Sequence, residues 1–324
     1  MRRRLLLLLV VLLEVGCSLL TDLSGYSGAH EDGGGGADSA GRDAPGADED
    51  APRGDAGRCD PTKPFGAPLP LAALNLPCDS DRAARLTPDE RTVYFSSDRS
   101  NARRIYRSTR AGAAEPFGPP VLLDELATPS TAYIAAAPSA DGLELIVEER
   151  DTAADTAGDL RRYTRAAATG RFGNATEIGS VKTNLDETDP NLGAGGLELW
   201  FARPAGARYD IFVASRTSLA APFGPPSALV GDVSRSSAED TDPVPSADGT
   251  ELFFQSDRDG PARVFVAHRS SAAEPFGAPV HVAELDGSGT NDVPNWLSTD
   301  RCVLYLTSTP ASGPSDLYVA TRPR

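Results

Sequence analysis

Hydrophobic and polar positions alternate along this chain in short runs, and no stretch repeats at helical spacing. Five runs stand out: Val-Tyr-Phe-Ser at 93–96, Leu-Ile-Val-Glu at 145–148, Leu-Trp-Phe-Ala at 199–202, Leu-Phe-Phe-Gln at 252–255 and Leu-Tyr-Leu-Thr at 304–307. Leucine, β-branched and aromatic side chains of this kind fit a pleated, half-buried surface, so each run predicts a strand. A tight turn precedes each one: Asp89-Glu90, Asp141-Gly142, Gly195-Gly196, Asp248-Gly249 and Asp300-Arg301. Before the turn stands a small residue, Thr87, Ser139, Gly193, Ser246 or Ser298, closing a shorter inner strand. After each run comes a further alternating segment that ends in arginine: Arg110, Arg165, Arg216, Arg269 and Arg322. Seven residues beyond the first four arginines lies Phe-Gly, at Phe117, Phe172, Phe223 and Phe276.

The unit therefore has four strands and recurs every 52 to 54 residues, which is the pattern of a β-propeller blade. The fifth copy ends at Arg324 without a Phe-Gly strand, while an unattached one begins at Phe65-Gly66. The expectation is an all-β, five-bladed β-propeller, closed by an N-terminal outer strand from Phe65 to Leu74 that completes the C-terminal blade and protects its edge.

The residues before Phe65 have another character. Arg2-Arg3-Arg4, an apolar run from Leu5 to Leu13 and Val15-Gly16-Cys17 predict a signal peptide over 1–17. Its end resembles a bacterial lipobox, although Glu14 departs from that pattern. The resemblance implies acylation of Cys17 and, with Ser18 following, placement at the outer membrane on its periplasmic or surface side. Residues 18–58 are rich in Gly, Ala, Asp and Glu, with too little apolar surface to offset chain entropy, and are expected to be a disordered tether. The propeller then spans 59–324.

Of the remaining cysteines, Cys59 and Cys302 fall at the same end of the predicted last blade, whereas Cys78 follows the outer strand and falls at the opposite end. A Cys59–Cys302 disulfide that staples the ring, with Cys78 free, is expected; a local Cys59–Cys78 loop is the rival. The net charge of −15 and the lack of a basic stripe argue against nucleic acid as a partner.

The stretch Ser-Ala-Asp-Gly-x-x-Leu-x-Phe-x-Ser-Asp-Arg at Ser246 to Arg258 resembles the WD40-like Pro-Asp repeat of TolB-like propellers and envelope lipoproteins. Thr87-Pro88-Asp89 with Ser97-Asp98-Arg99 is a second match. The second copy has Glu148-Glu149-Arg150 in place of Ser-Asp-Arg, and the third and fifth copies are looser. The resemblance covers nearly everything from Phe65 onward and implies fold more than function.

Six residues before each small inner-strand residue stand Asp81, Tyr133, Glu187, Asp240 and Asp292, with Asp189 and Asp242 two residues further on. A ring of Asp81, Glu187, Asp189, Asp240, Asp242 and Asp292 at the channel mouth would suit a basic peptide segment or a calcium ion. The same positions also suit acids that cap strand-start loops by accepting backbone N–H bonds. Among histidines only His268 and His281 lie in the propeller, and no nucleophile elbow, zinc-binding helix or phosphate loop is present. The chain is therefore read as a non-enzymatic, lipid-anchored, monomeric binding or scaffolding module for a protein or peptide partner, with no cofactor unless calcium binds at the mouth. The alternative is a carbohydrate-binding or glycoside-hydrolysing propeller, with Asp189, Asp242 and Glu187 as first candidates.

Overall fold

The structure is a computed structural model and describes residues 58–324 apart from 153–156, 236 and 288. The predicted signal peptide, Cys17 and nearly all of the tether lie outside the described residues. Of the described strands, β1 (Leu69–Pro70) stands alone ahead of the repeats. The first blade comprises β2 (Asp81–Leu86), β3 (Thr92–Ser97), β4 (Arg104–Thr109) and β5 (Val121–Leu122). The second comprises β6 (Thr131–Pro138), β7 (Glu144–Asp151), β8 (Asp159–Thr164) and β9 (Gly173–Glu177). The third runs through β10 (Thr188–Gly193), β11 (Glu198–Ala205), β12 (Arg208–Ser215) and β13 (Ser227–Ala228). The fourth runs through β14 (Asp240–Pro245), β15 (Glu251–Ser256), β16 (Arg263–His268) and β17 (Val280–His281). The fifth has β18 (Asn291–Leu297), β19 (Val303–Thr309) and β20 (Asp316–Thr321), and its fourth strand is β1.

All five sheets are four-stranded and antiparallel. The inner strands β2, β6, β10, β14 and β18 neighbour one another in that order, and β18 returns to β2. The chain is a five-bladed β-propeller.

The repeated residues now have physical roles. In four blades the hydroxyl of Thr87, Ser139, Ser246 or Ser298 donates to the turn aspartate at 2.6 Å, fixing the tight turn. The arginine at the end of each third strand reaches back to a turn carbonyl, as Arg110 does to Glu90 at 2.6 Å and Arg216 to Gly196 at 2.8 Å. Its guanidinium also lies over the Phe of Phe-Gly, 4.4 Å from the ring centroid for Arg110 over Phe117 and 4.2 Å for Arg165 over Phe172. That ring packs edge-on against the second strand of the preceding blade, as in Phe172 on Tyr94 and Phe276 on Trp200. The N–H of the glycine that follows donates to the third strand, as Gly118 does to Thr109 O and Gly277 to His268 O.

The two ends of the described chain repeat this arrangement. Arg322 lies 4.3 Å above the Phe65 ring, Phe65 packs edge-on against Phe253, and Gly66 N–H donates to Thr321 O at 2.8 Å. Only Leu69 and Pro70 pair as a strand, with Val319 and Tyr318, while Gly66 and Leu71 on either side donate to Thr321 O and Leu317 O of β20. Cys59 and Cys302 are joined by a disulfide with a Cα–Cα distance of 5.6 Å. Cys78 is held in a disulfide as well, which corrects the expectation that it is a free thiol.

Candidate functional site

The acids predicted at the channel mouth separate into two groups. Asp81, Glu187, Asp240 and Asp292 have no solvent exposure and serve the strand starts. Asp81 binds Arg99 at 2.6 Å and the Leu76 N–H at 2.9 Å. Asp240 repeats this with Arg258 at 2.6 Å and the Arg235 N–H at 2.9 Å. Asp292 accepts from Arg263, the Ser308 hydroxyl and the Gly287 N–H. Glu187 accepts from the hydroxyl and N–H of Thr183. The Ser-Asp-Arg motif is the other half of the clamp: Arg99 and Arg258 are each oriented by a serine, Ser97 and Ser256, at 2.8 Å. In the second blade Tyr133 takes the place of the acid and is buried, its hydroxyl bonded to Thr128.

Asp189 and Asp242 are different because the backbone is different. Both have left-handed φ, 57° and 52°, and both lie where the pairing register with the next strand slips. Each is followed by proline, which cannot supply a ladder N–H. Such a bulge re-aims a side chain, and here it places both carboxyl groups at one cavity in the channel. The corresponding bulge in β2 carries Ala83, φ 56°, and so presents no acid.

Three contacts cross the ring between blades that are not neighbours. Arg85 Nε, from the first blade, donates to Pro190 O in the third at 3.2 Å. Its Nη2 lies 4.0 Å from Asp242 in the fourth. Asn191 Nδ2, from the third blade, donates to Asn295 O in the fifth at 3.1 Å. These ties form a septum. At the strand-start end lies a well of 190 Å³ whose wall mixes Asp189, Asp242, Gln255 and Asn295 with Ala83, Ile134 and Val293, and Arg82 and Arg103 also stand on it. At the opposite end lies an apolar funnel of 270 Å³ whose wall includes Leu86, Pro138, Val244, Pro245 and Trp296.

Electrostatics bind the septum to the well. Arg85 is fully buried and feels the fields of Asp242, Asp189 and Glu148, which oppose the effect of burial. Burial raises the pKa of both Asp189 and Asp242, and the charge of Asp189 raises that of Asp242 further. Behind them Glu148 accepts from the Thr188 hydroxyl at 2.8 Å and the Asp189 N–H at 3.0 Å. Burial, reinforced by the Asp189 charge, pushes Glu148 up to about 8.

Sequence reasoning did not select Arg85, Asn295 or Glu148 for the site. A signal existed for the last. Its column on the second strand reads Ser96, Glu148, Ala202, Gln255 and Thr307, and Ser96, Glu148 and Gln255 bond to the inner strand of the next blade. Only the second blade places a carboxylate there. No group of three or more His, Cys, Asp or Glu residues among the described residues is arranged to hold a metal ion.

No protein-family model and no curated protein matches the chain. Solved structures do. The fold is shared across several proteins. The catalytic domain of a Coprinopsis cinerea GH62 α-L-arabinofuranosidase is 12% identical, covering 81% of this chain and 97% of that one with a TM-score of 0.51. TolB from Acinetobacter baumannii is 14% identical over 75% of this chain and 55% of its own length, with a TM-score of 0.48. A putative TolB from Agrobacterium tumefaciens is 16% identical over 72% and 71%, with a TM-score of 0.45. At these identities the likeness is one of fold. It corrects the reading of the chain as a non-enzyme, because this architecture is also that of a glycoside hydrolase catalytic domain.

Proposed function

We propose that this chain is an extracytoplasmic β-propeller that takes a saccharide unit into the polar half of its central channel. The observation that carries the reading is the well itself: an open cavity whose wall mixes two carboxyls, amides and hydroxyls with the apolar Ala83, Ile134 and Val293. Such a wall suits a polyol, with hydroxyls to pair and C–H faces to cover. A protein or peptide partner, the first expectation from the sequence, would instead draw on the loops around the mouth. The Cys59–Cys302 disulfide supports an oxidising compartment, in keeping with an extracytoplasmic location.

Hydrolysis of the bound glycoside is the second reading. The observation that favours it is three carboxyls gathered at the well, Asp189 and Asp242 on its wall and Glu148 accepting from the Asp189 N–H behind them, with burial raising the pKa of all three. The test is to present the full chain to a panel of glycans while monitoring the release of reducing sugar. Saturable binding that Asp242→Asn weakens supports the proposal, and turnover supports the second reading. A panel with no binder would overturn both.

A further inference from the structure

The polar atoms left without partners in and beside the well are all donors. Asn295 has no solvent exposure and lines the well; its Oδ1 accepts from Thr307 at 2.7 Å, but its Nδ2 has no partner. Nη1 and Nη2 of fully buried Arg85 and the buried Nε of Arg82 also lack hydrogen-bond partners. A buried donor left unpaired costs about 1–3 kcal/mol, so a ligand that supplies acceptors at these points recovers that cost.

Charge narrows the choice. Arg82 and Arg103 share the wall of the well. Arg103 presses on Arg82 as a like charge, and the acid whose field reaches Arg82, Asp98, stands beyond ion-pair distance. Among the described residues neither arginine forms an ion pair, in a chain whose net charge is −15. Two adjacent arginines, neither in an ion pair and one with its Nη2 donating only to Ser80 Oγ, favour an anion, and the planar guanidinium fits a carboxylate. The opposite wall does not call for a cation. Arg85 lies 4.0 Å from Asp242, and burial raises the pKa of both Asp189 and Asp242, so the pair is suited to hydrogen bonds with hydroxyls.

We propose that the ligand of the well is a carboxylate-bearing saccharide, a uronate, whose carboxylate is held by Arg82 and Arg103 and whose hydroxyls meet Asp189, Asp242 and Asn295. This rests on the saccharide reading above and specifies its substrate class.

The test is titration of the full chain with a galacturonate trimer, a neutral galactose trimer of the same linkage, and free glycine and acetate. The uronate is expected to bind at least about tenfold more tightly than the neutral trimer, the scale of one charge-assisted contact. Arg103→Gln should abolish that preference, and Arg103→Lys should restore part of it. An unchanged melting temperature shows that each variant is folded. Equal or tighter binding of the neutral trimer overturns the uronate assignment and leaves the saccharide reading standing. Glycine or acetate binding as tightly as the uronate trimer shows a bare carboxylate site and overturns it too. Failure of both trimers to bind removes the saccharide reading and this inference together.

Discussion

Glu148 is the residue at which the septum can be read from solution. Its folded-state pKa stands at about 8, above the ordinary 4.5, so the folded protein holds a proton that the unfolded chain releases. Stability attributable to this group is full below about pH 4.5 and falls as pH rises towards 8. Glu148→Gln should flatten that part of the slope in urea unfolding followed across the window. An unchanged slope would show that the carboxyl is ionised at neutral pH. Arg85 tests the same cluster from the other side. Replacing it with Met leaves Asp189, Asp242 and Glu148 without their buried cation, an expected loss of about 3–5 kcal/mol measured by the same unfolding. A loss within experimental scatter would mean that the cross-ring ties contribute nothing. Asp189 and Asp242 were legible as site candidates because acids two residues after a strand start break the repeat. Arg85 was not, because it stands in a column with Ala137, Asn191, Val244 and Trp296, and nothing local in the sequence tells that it reaches across the ring.

At the scale of the element, the bulges in β2, β10 and β14 decide which side chains face the well. Ala83 holds φ at 56° without a glycine, a conformation that disfavours a side chain by about 1 kcal/mol. Ala83→Gly should therefore raise the melting temperature slightly, and a fall would show that the β2 bulge is not strained. The Ser-Asp-Arg motif was visible as a repeat, but its purpose was not. The pairing of Arg99 with Asp81 and of Arg258 with Asp240 spans eighteen residues and two strands, and only the fold shows that these acids are consumed by the clamp. The alternation that predicted strands also predicted their order, because antiparallel neighbours joined by tight turns leave little choice. Strand length was less legible: the outer strands β1, β5, β13 and β17 pair over two residues each, since Phe-Gly packing holds the outer chain in place of a long ladder.

For the whole molecule, the ring is joined where its ends meet. Arg322 over Phe65 repeats a contact made within every other blade, and the Cys59–Cys302 disulfide spans 243 residues of sequence. Cross-linking so long a loop restricts the unfolded chain by up to about 5 kcal/mol. Cys59→Ser should lower stability by an amount on that scale, and Phe65→Ala by about 3–5 kcal/mol, both read from denaturant midpoints. A small effect of Phe65→Ala would place the stability of the ring elsewhere.

The measurement that bears most directly on the function is hydrogen–deuterium exchange of the full chain with and without the galacturonate trimer. Saccharide uptake at the strand-start end predicts slower exchange in β10, β14 and β18 and in the loop carrying Arg103, with the turns around the apolar funnel unchanged. Protection at the funnel turns, or none at the strand starts under saturating trimer, would contradict it.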